Sequence, residues 1–191
     1  YEGVSSGGGN IYLPAVYRQY IPTANNQTSY IAIQNINTSG NITAVMHWID
    51  RNSGNEIGTH TLVIAPNTKK SINPISTQLD GGGFVPQGFI GSGRVTVSGG
   101  NAVVFVNVEA ANTFPGGIPS RFGYLGFNGG DDTVYLPYVI RNVNTWTSYI
   151  AVQNVGSGTA NGTVKYYDRT TGNLVETDNF SLGQGAKASV K

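Results

Sequence analysis

One eight-residue string occurs twice in this chain, and no other feature narrows the possible folds as far. Thr28-Ser29-Tyr30-Ile31-Ala32-Ile33-Gln34-Asn35 returns as Thr147 through Asn154, with Val152 in place of Ile33. Ile11-Tyr12-Leu13-Pro14 returns as Val134-Tyr135-Leu136-Pro137, and Asp50-Arg51 with Gly54-Asn55 returns as Asp168-Arg169 with Gly172-Asn173. Tyr1, Gly3 and Gly7 match Tyr124, Gly126 and Gly130 in the same order. Matches that keep their order while the offset falls only from 123 to 118 predict two units of one kind. The units are unequal. Gly93–Val97 and Ala102–Val108 read as strands of the first unit, and the second has no counterpart to either.

Local pattern predicts strands and no helix. Twenty-seven glycines and eight prolines interrupt nearly every window in which apolar residues would need helical spacing. Short β-branched and aromatic runs separated by turn clusters predict strands near 11–18, 28–35, 41–50, 56–64, 93–98 and 101–109. In the second unit they fall near 134–141, 147–154, 162–169, 173–182 and 186–190. Arg51 to Asn55, Arg169 to Asn173 and Ser98-Gly99-Gly100-Asn101 carry hairpin signals, because glycine accepts positive φ and Asn or Asp bonds to nearby backbone. Asp50 and Asp168 stand where a carboxylate accepts N–H groups of the turn.

Alternation puts Met46 and Trp48 on one face and His47 on the other, with Val164 and Tyr166 against Lys165 at the matched positions. The expected fold is all-β: two tandem immunoglobulin-like antiparallel β-sandwiches, the second lacking its last two strands within these residues. The expected layout has a glycine-rich leader or linker strand at 1–10 and a first sandwich at 11–110. A Gly/Pro-rich linker follows at 111–133, and an incomplete sandwich at 134–191. Strand 101–109 is apolar on both faces, so Val103 and Phe105 call either for a covering layer or for a subunit contact.

Composition excludes several classes of function. The formal net charge is +1 and only 11% of residues are charged, which leaves no basic stripe for nucleic acid. No apolar run approaches the roughly 18–20 residues that span a bilayer. Without cysteine there are no disulfides, thiol nucleophiles or thiolate-bound metals.

Candidate chemistry is sparse. Gly3-Val4-Ser5-Ser6-Gly7 has the spelling of a nucleophile elbow but no strand-to-helix context. Gly156 to Gly162 lacks the helix that a phosphate loop needs. His47 and His60 match Lys165 and Asp178, so no metal pair repeats, and Asn128, Asp131 and Asp132 read as a solvated linker. The expectation is a non-enzymatic chain with no cofactor and no metal. Asn26, Asn37, Asn41, Asn161 and Asn179 each open an Asn-X-Ser/Thr sequon, so they are candidate glycosylation sites. Trp146, among amides and tyrosines, is a candidate platform for stacking sugars.

Tyr-Leu-Pro, then Thr-Ser-Tyr-Ile-Ala-Ile-Gln-Asn, then Asp50-Arg51 with Gly54, then Gly88-Phe89-Ile90-Gly91-Ser92 resembles the tandem immunoglobulin-like repeats of secreted surface and filament proteins of Chloroflexi-type bacteria. The resemblance implies an extracellular, non-enzymatic structural module at the cell surface. It covers nearly all of the first unit and the front of the second. Together with the missing strands it leads to an expected subunit that assembles head to tail, by strand donation or edge completion, into a filament, pilus-like fibre or coat. Val103, Phe105, Val164, Tyr166 and Val190 are the candidate interface. The expected partners are copies of the chain, and glycans or a neighbouring cell surface. The alternative is a carbohydrate-binding or adhesive module using Trp146.

Overall fold

The computed structural model describes residues 7–19, 26–111, 120–140 and 148–190. Among these, all regular structure is β and every ladder is antiparallel. One four-stranded sheet runs in the order β1 (Asn10–Arg18), β6 (Phe89–Ser98), β3 (Ile42–Asp50), β4 (Glu56–Ile64). The other runs β5 (Lys69–Ile72), β2 (Asn26–Asn35), β7 (Ala102–Ala111), β8 (Ser120–Leu125). The two pack face to face, sandwich-like.

Period-two alternation explains the packing. Ile31 and Ile33 of β2, Val104, Val106 and Val108 of β7, and Ile42, Ala44, Met46 and Trp48 of β3 all enter one core. Each large side chain buried there contributes roughly 1.5–3 kcal/mol of transfer free energy. Phe89 meets the Trp48 ring edge to face, with centroids 6.1 Å apart.

Two polar groups deep in this unit are fully engaged. Asn35 follows Ile31 and Ile33 on the inward face, and its buried amide donates to the Gly40 and Ile64 carbonyls at 3.0 Å each. Its Oδ1 accepts from the Asn37 N–H. On β1, the register shifts between Leu13 and Val16, beside Pro14, which takes Ala15 out of the ladder with β6. The Tyr124 hydroxyl, arriving from the opposite sheet, donates to the Ala15 carbonyl at 2.6 Å and accepts from its N–H at 3.2 Å. Burial pushes this phenol well above its usual pKa.

Several expectations need correction. The stretch 111–133 is not simply a linker: β8 lies in it, paired with β7 from Phe105↔Leu125 to Ala110↔Ser120, with Arg121 bonded to Glu109. Glycine and proline density hid a six-residue strand that needs only one paired edge. The leader 1–10 is likewise partly built in, since Gly8 bridges Ala102 and the Gly9 carbonyl accepts from Val97. Ser98–Asn101 is a corner between sheets and not a hairpin, because β6 and β7 belong to different sheets. The Asn37 amide holds it, bonding the Gly99 carbonyl and the Asn101 N–H. β7 is a central strand, and Phe105 lies over Gly123 of β8, where a Cβ would overlap its ring.

Beyond Gly130 the described residues form two ribbons, β9 (Ile150–Gln153) with β12 (Lys187–Val190) and β10 (Ala160–Tyr167) with β11 (Leu174–Leu182). No helix among the described residues is long and apolar enough to cross a membrane. The strand expected at 134–141 is absent over its described part, 134–140. The matched strand β1 depends on β6 for its ladder, and no β6-like strand among the described residues lies beside 134–140.

Tyr124→Phe preserves ring volume but leaves both Ala15 groups without the hydroxyl. Urea unfolding should show the first unit destabilised by about 1–3 kcal/mol with an unchanged denaturant slope.

Candidate assembly surface

The two ribbons pair at the offsets of the sequence matches. Gln34↔Lys69 to Ile31↔Ile72 in β2–β5 corresponds to Gln153↔Lys187 to Ile150↔Val190 in β9–β12. Ile42↔Ile64 to Ile49↔Glu56 in β3–β4 corresponds to Ala160↔Leu182 to Tyr167↔Leu174 in β10–β11, with a register shift at the same place. Asn154 clamps its loop as Asn35 does, donating to Gly158 and Leu182 carbonyls at 2.6 and 2.9 Å and accepting from Gly156. Asp50 and Asp168 each accept two backbone N–H bonds and one hydroxyl bond from the turn that follows. Those bonds, led by the backbone N–H of Ser53 and of Thr171, hold both carboxyls below their ordinary pKa.

What differs is burial. Leu13 is 0% exposed whereas its match Leu136 is 49% exposed, and Tyr135 reaches 87%. Val134, Tyr138 and Val139 are exposed beside them. Val164 and Tyr166 are half-buried where their matches Met46 and Trp48 are sealed, while Lys165 points to solvent as alternation predicts. In the first sheet β3 is paired along both edges, by β4 and β6. Among the described residues β10 is paired along one, by β11. The consequence is an unpaired strand edge under an incompletely covered apolar face.

The other ribbon docks on the first unit through backbone. The Lys187 N–H donates to the Arg51 carbonyl at 3.0 Å, and Ser92 Oγ donates to the Gly185 carbonyl at 3.0 Å. Gly54 has φ +71°, and a Cβ there would overlap the Gln184 carbonyl. The Lys187 side chain is 3% exposed, with its ammonium 5.0 Å from the Tyr17 ring centroid and no hydrogen-bond acceptor. Burial, and secondarily the nearby Arg51 charge, pushes its pKa down to about 7. Its match Lys69 is exposed beside Ser71.

The expected interface residues divide. Val103 and Phe105 are half-buried on the face of β7 opposite the core residues Val104 and Val106, while Val164, Tyr166 and Val190 lie on the β9–β12 and β10–β11 ribbons. His47 bonds Glu56 and Thr96, and His60 bonds the Gln78 carbonyl, so the histidines do not converge. Asn41, Asn161 and Asn179 are exposed. Asn37 is committed to its corner, and Asn26 is half-buried on β2. Trp146 lies outside the described residues. The Asn35 and Asn154 clamps were open to inference from sequence. An amide at the inward position after two β-branched aliphatic residues (Ile31 and Ile33, or Ile150 and Val152) requires buried partners.

No protein-family model and no curated protein matches the chain. The crystal structure of Thermotoga maritima 1070 is similar with a TM-score of 0.47 and 11% sequence identity, over 63% of this chain and 94% of that one.

The buried ammonium makes docking pH-dependent. From pH 7 to 9 the unfolded lysine keeps a proton that the folded one gives up, so stability rises with pH, by up to about 1.4 kcal/mol per unit. Lys187→Met should remove that rise in urea unfolding measured across the same window.

Proposed function

We propose that the chain is an extracellular structural subunit of two immunoglobulin-like repeat units that joins copies of itself, head to tail, into a filament, pilus-like fibre or surface coat. The observation that carries the reading is that, among the described residues, the strand slot of the second unit that β6 fills in the first holds no strand. Residues 134–139 match β1 but are exposed and join no ladder among the described residues, where β10 has one ladder neighbour, β11.

Energetics favours filling the slot. Leu136 and Val139 each forgo part of the roughly 1.5–3 kcal/mol that sealing such a side chain contributes. A free strand edge recruits another strand through its unpaired N–H and C=O groups. In the first unit that place is held by β6, which pairs β1 on one side and β3 on the other. A strand from a neighbouring copy would pair β10 in the same way. Low charge adds little repulsion between packed copies. The reading requires neither catalytic residue nor cofactor, and it agrees with the resemblance to repeats of secreted filament proteins.

Light scattering and electron microscopy test it. Particle mass should grow with protein concentration into elongated species, and the double variant Leu136→Asp/Val139→Asp should suppress that growth while leaving the strand signal of the monomer unchanged. A folded chain that stays monodisperse at high concentration contradicts the reading.

A further inference from the structure

The seam between the two units joins a turn of the first to a loop of the second, and each partner has an unoccupied twin. The turn Asp50–Asn55 is held by Asp50 N–H to the Asn55 carbonyl at 2.9 Å and Gly54 N–H to the Asp50 carbonyl at 3.0 Å. In the turn Asp168–Asn173 the same bonds measure 2.8 and 2.9 Å, and both glycines have φ +71°. The loop 183–187 is closed by Ala186 N–H to the Gly183 carbonyl, with Gly185 at φ +75°. The loop 65–69 is closed by Thr68 N–H to the Ala65 carbonyl, with Asn67 at φ +56°.

The seam uses the first turn and the second loop, with the Ser92 hydroxyl of β6 added to them. Their twins, turn 168–173 and loop 65–69, are solvent-facing: around Gly172 nothing lies within 4 Å of a Cβ position, whereas at Gly54 the Gln184 carbonyl fills that space. We infer that loop 65–69 of a second copy docks on turn 168–173, repeating the seam between molecules. The Lys69 N–H would meet the Arg169 carbonyl as Lys187 N–H meets that of Arg51. Because the two surfaces differ and sit on different units, the contact is heterologous, and such a contact extends into an open chain of subunits unless its rotation closes a ring.

Two mismatches weaken the contact: no described residue of the second unit stands where the Ser92 hydroxyl bonds the Gly185 carbonyl, and the loop carries a side chain at its tightest point. A Cβ on Gly185 would stand 2.7 Å from the Gly54 carbonyl oxygen, and Asn67 carries that Cβ. The intermolecular contact must therefore open by a few tenths of an ångström and is weaker than the seam. Asn67→Gly removes the obstacle, and Gly172→Asn adds one. Asparagine tolerates the left-handed conformation, so Gly172→Asn keeps the turn.

This inference rests on the self-assembling reading, and crosslinking separates the two. The chain has no cysteine, so introduced thiols are unique. An equimolar mixture of Lys69→Cys and Arg169→Cys proteins, treated with a short bismaleimide, should yield a covalent dimer. Lys69→Cys mixed with Thr163→Cys should yield little. Asn67→Gly in the first partner should raise the dimer yield several-fold, and Gly172→Asn in the second should abolish it. Equal yields from both mixtures, or insensitivity to both substitutions, overturn the contact even if the protein polymerises. A dimer with the expected dependence, from a protein that never forms larger species, upholds the contact and overturns the polymer reading.

Discussion

The insertion of β6 between β1 and β3 is the pairing on which the first unit depends. It satisfies the backbone edges of two strands at once and brings Val95 into the core beside Ile11 and Met46. Gly93 sits at its centre, where a Cβ would press on the Met46 methyl. Where no such strand lies in place, both neighbours suffer. Among the described residues, 134–140 form no ladder despite matching β1, and β10 has one ladder neighbour where β3 has two. Local propensity is therefore insufficient for strand formation here, and the missing term is the hydrogen-bonded partner.

Short-range devices, by contrast, persist in both halves. The Asp50 and Asp168 turns close within a few residues, and the Asn35 and Asn154 clamps reach no farther than the end of the next hairpin, at Ile64 and Leu182, so they form whether or not the sheet around them is sealed. This division between local closure and sheet closure explains how the ribbons keep their register while their apolar faces stay partly wet.

Much of the fold was legible in the sequence. Alternation separated the two faces of β3, and the turn signals at 51–55 and 169–173 marked the connections of the β3–β4 and β10–β11 ladders. What stayed hidden depended on long-range closure. β8 lay inside a Gly- and Pro-rich stretch and owes its place to β7 and to Arg121–Glu109. The Tyr124 hydroxyl reaches Ala15 across 109 positions, which no local pattern reports. The seam was equally hidden, because Gly54 reads as an ordinary turn glycine until Gln184 is seen against it. Lys187 looked like a surface lysine, as its match Lys69 is, and only docking buries it.

Tyr12 and Phe127 exchange two backbone hydrogen bonds, of 2.7 and 3.0 Å, so the entering and departing segments of the first unit lie side by side and antiparallel. Both therefore leave the sandwich at one end. Traction transmitted along the polypeptide would load such bonds singly, by peeling, and not all together in shear. A module stitched in this manner yields gradually, and such a tear draws Ile11 and Leu13 from the core before it meets the Tyr124 hydroxyl on Ala15.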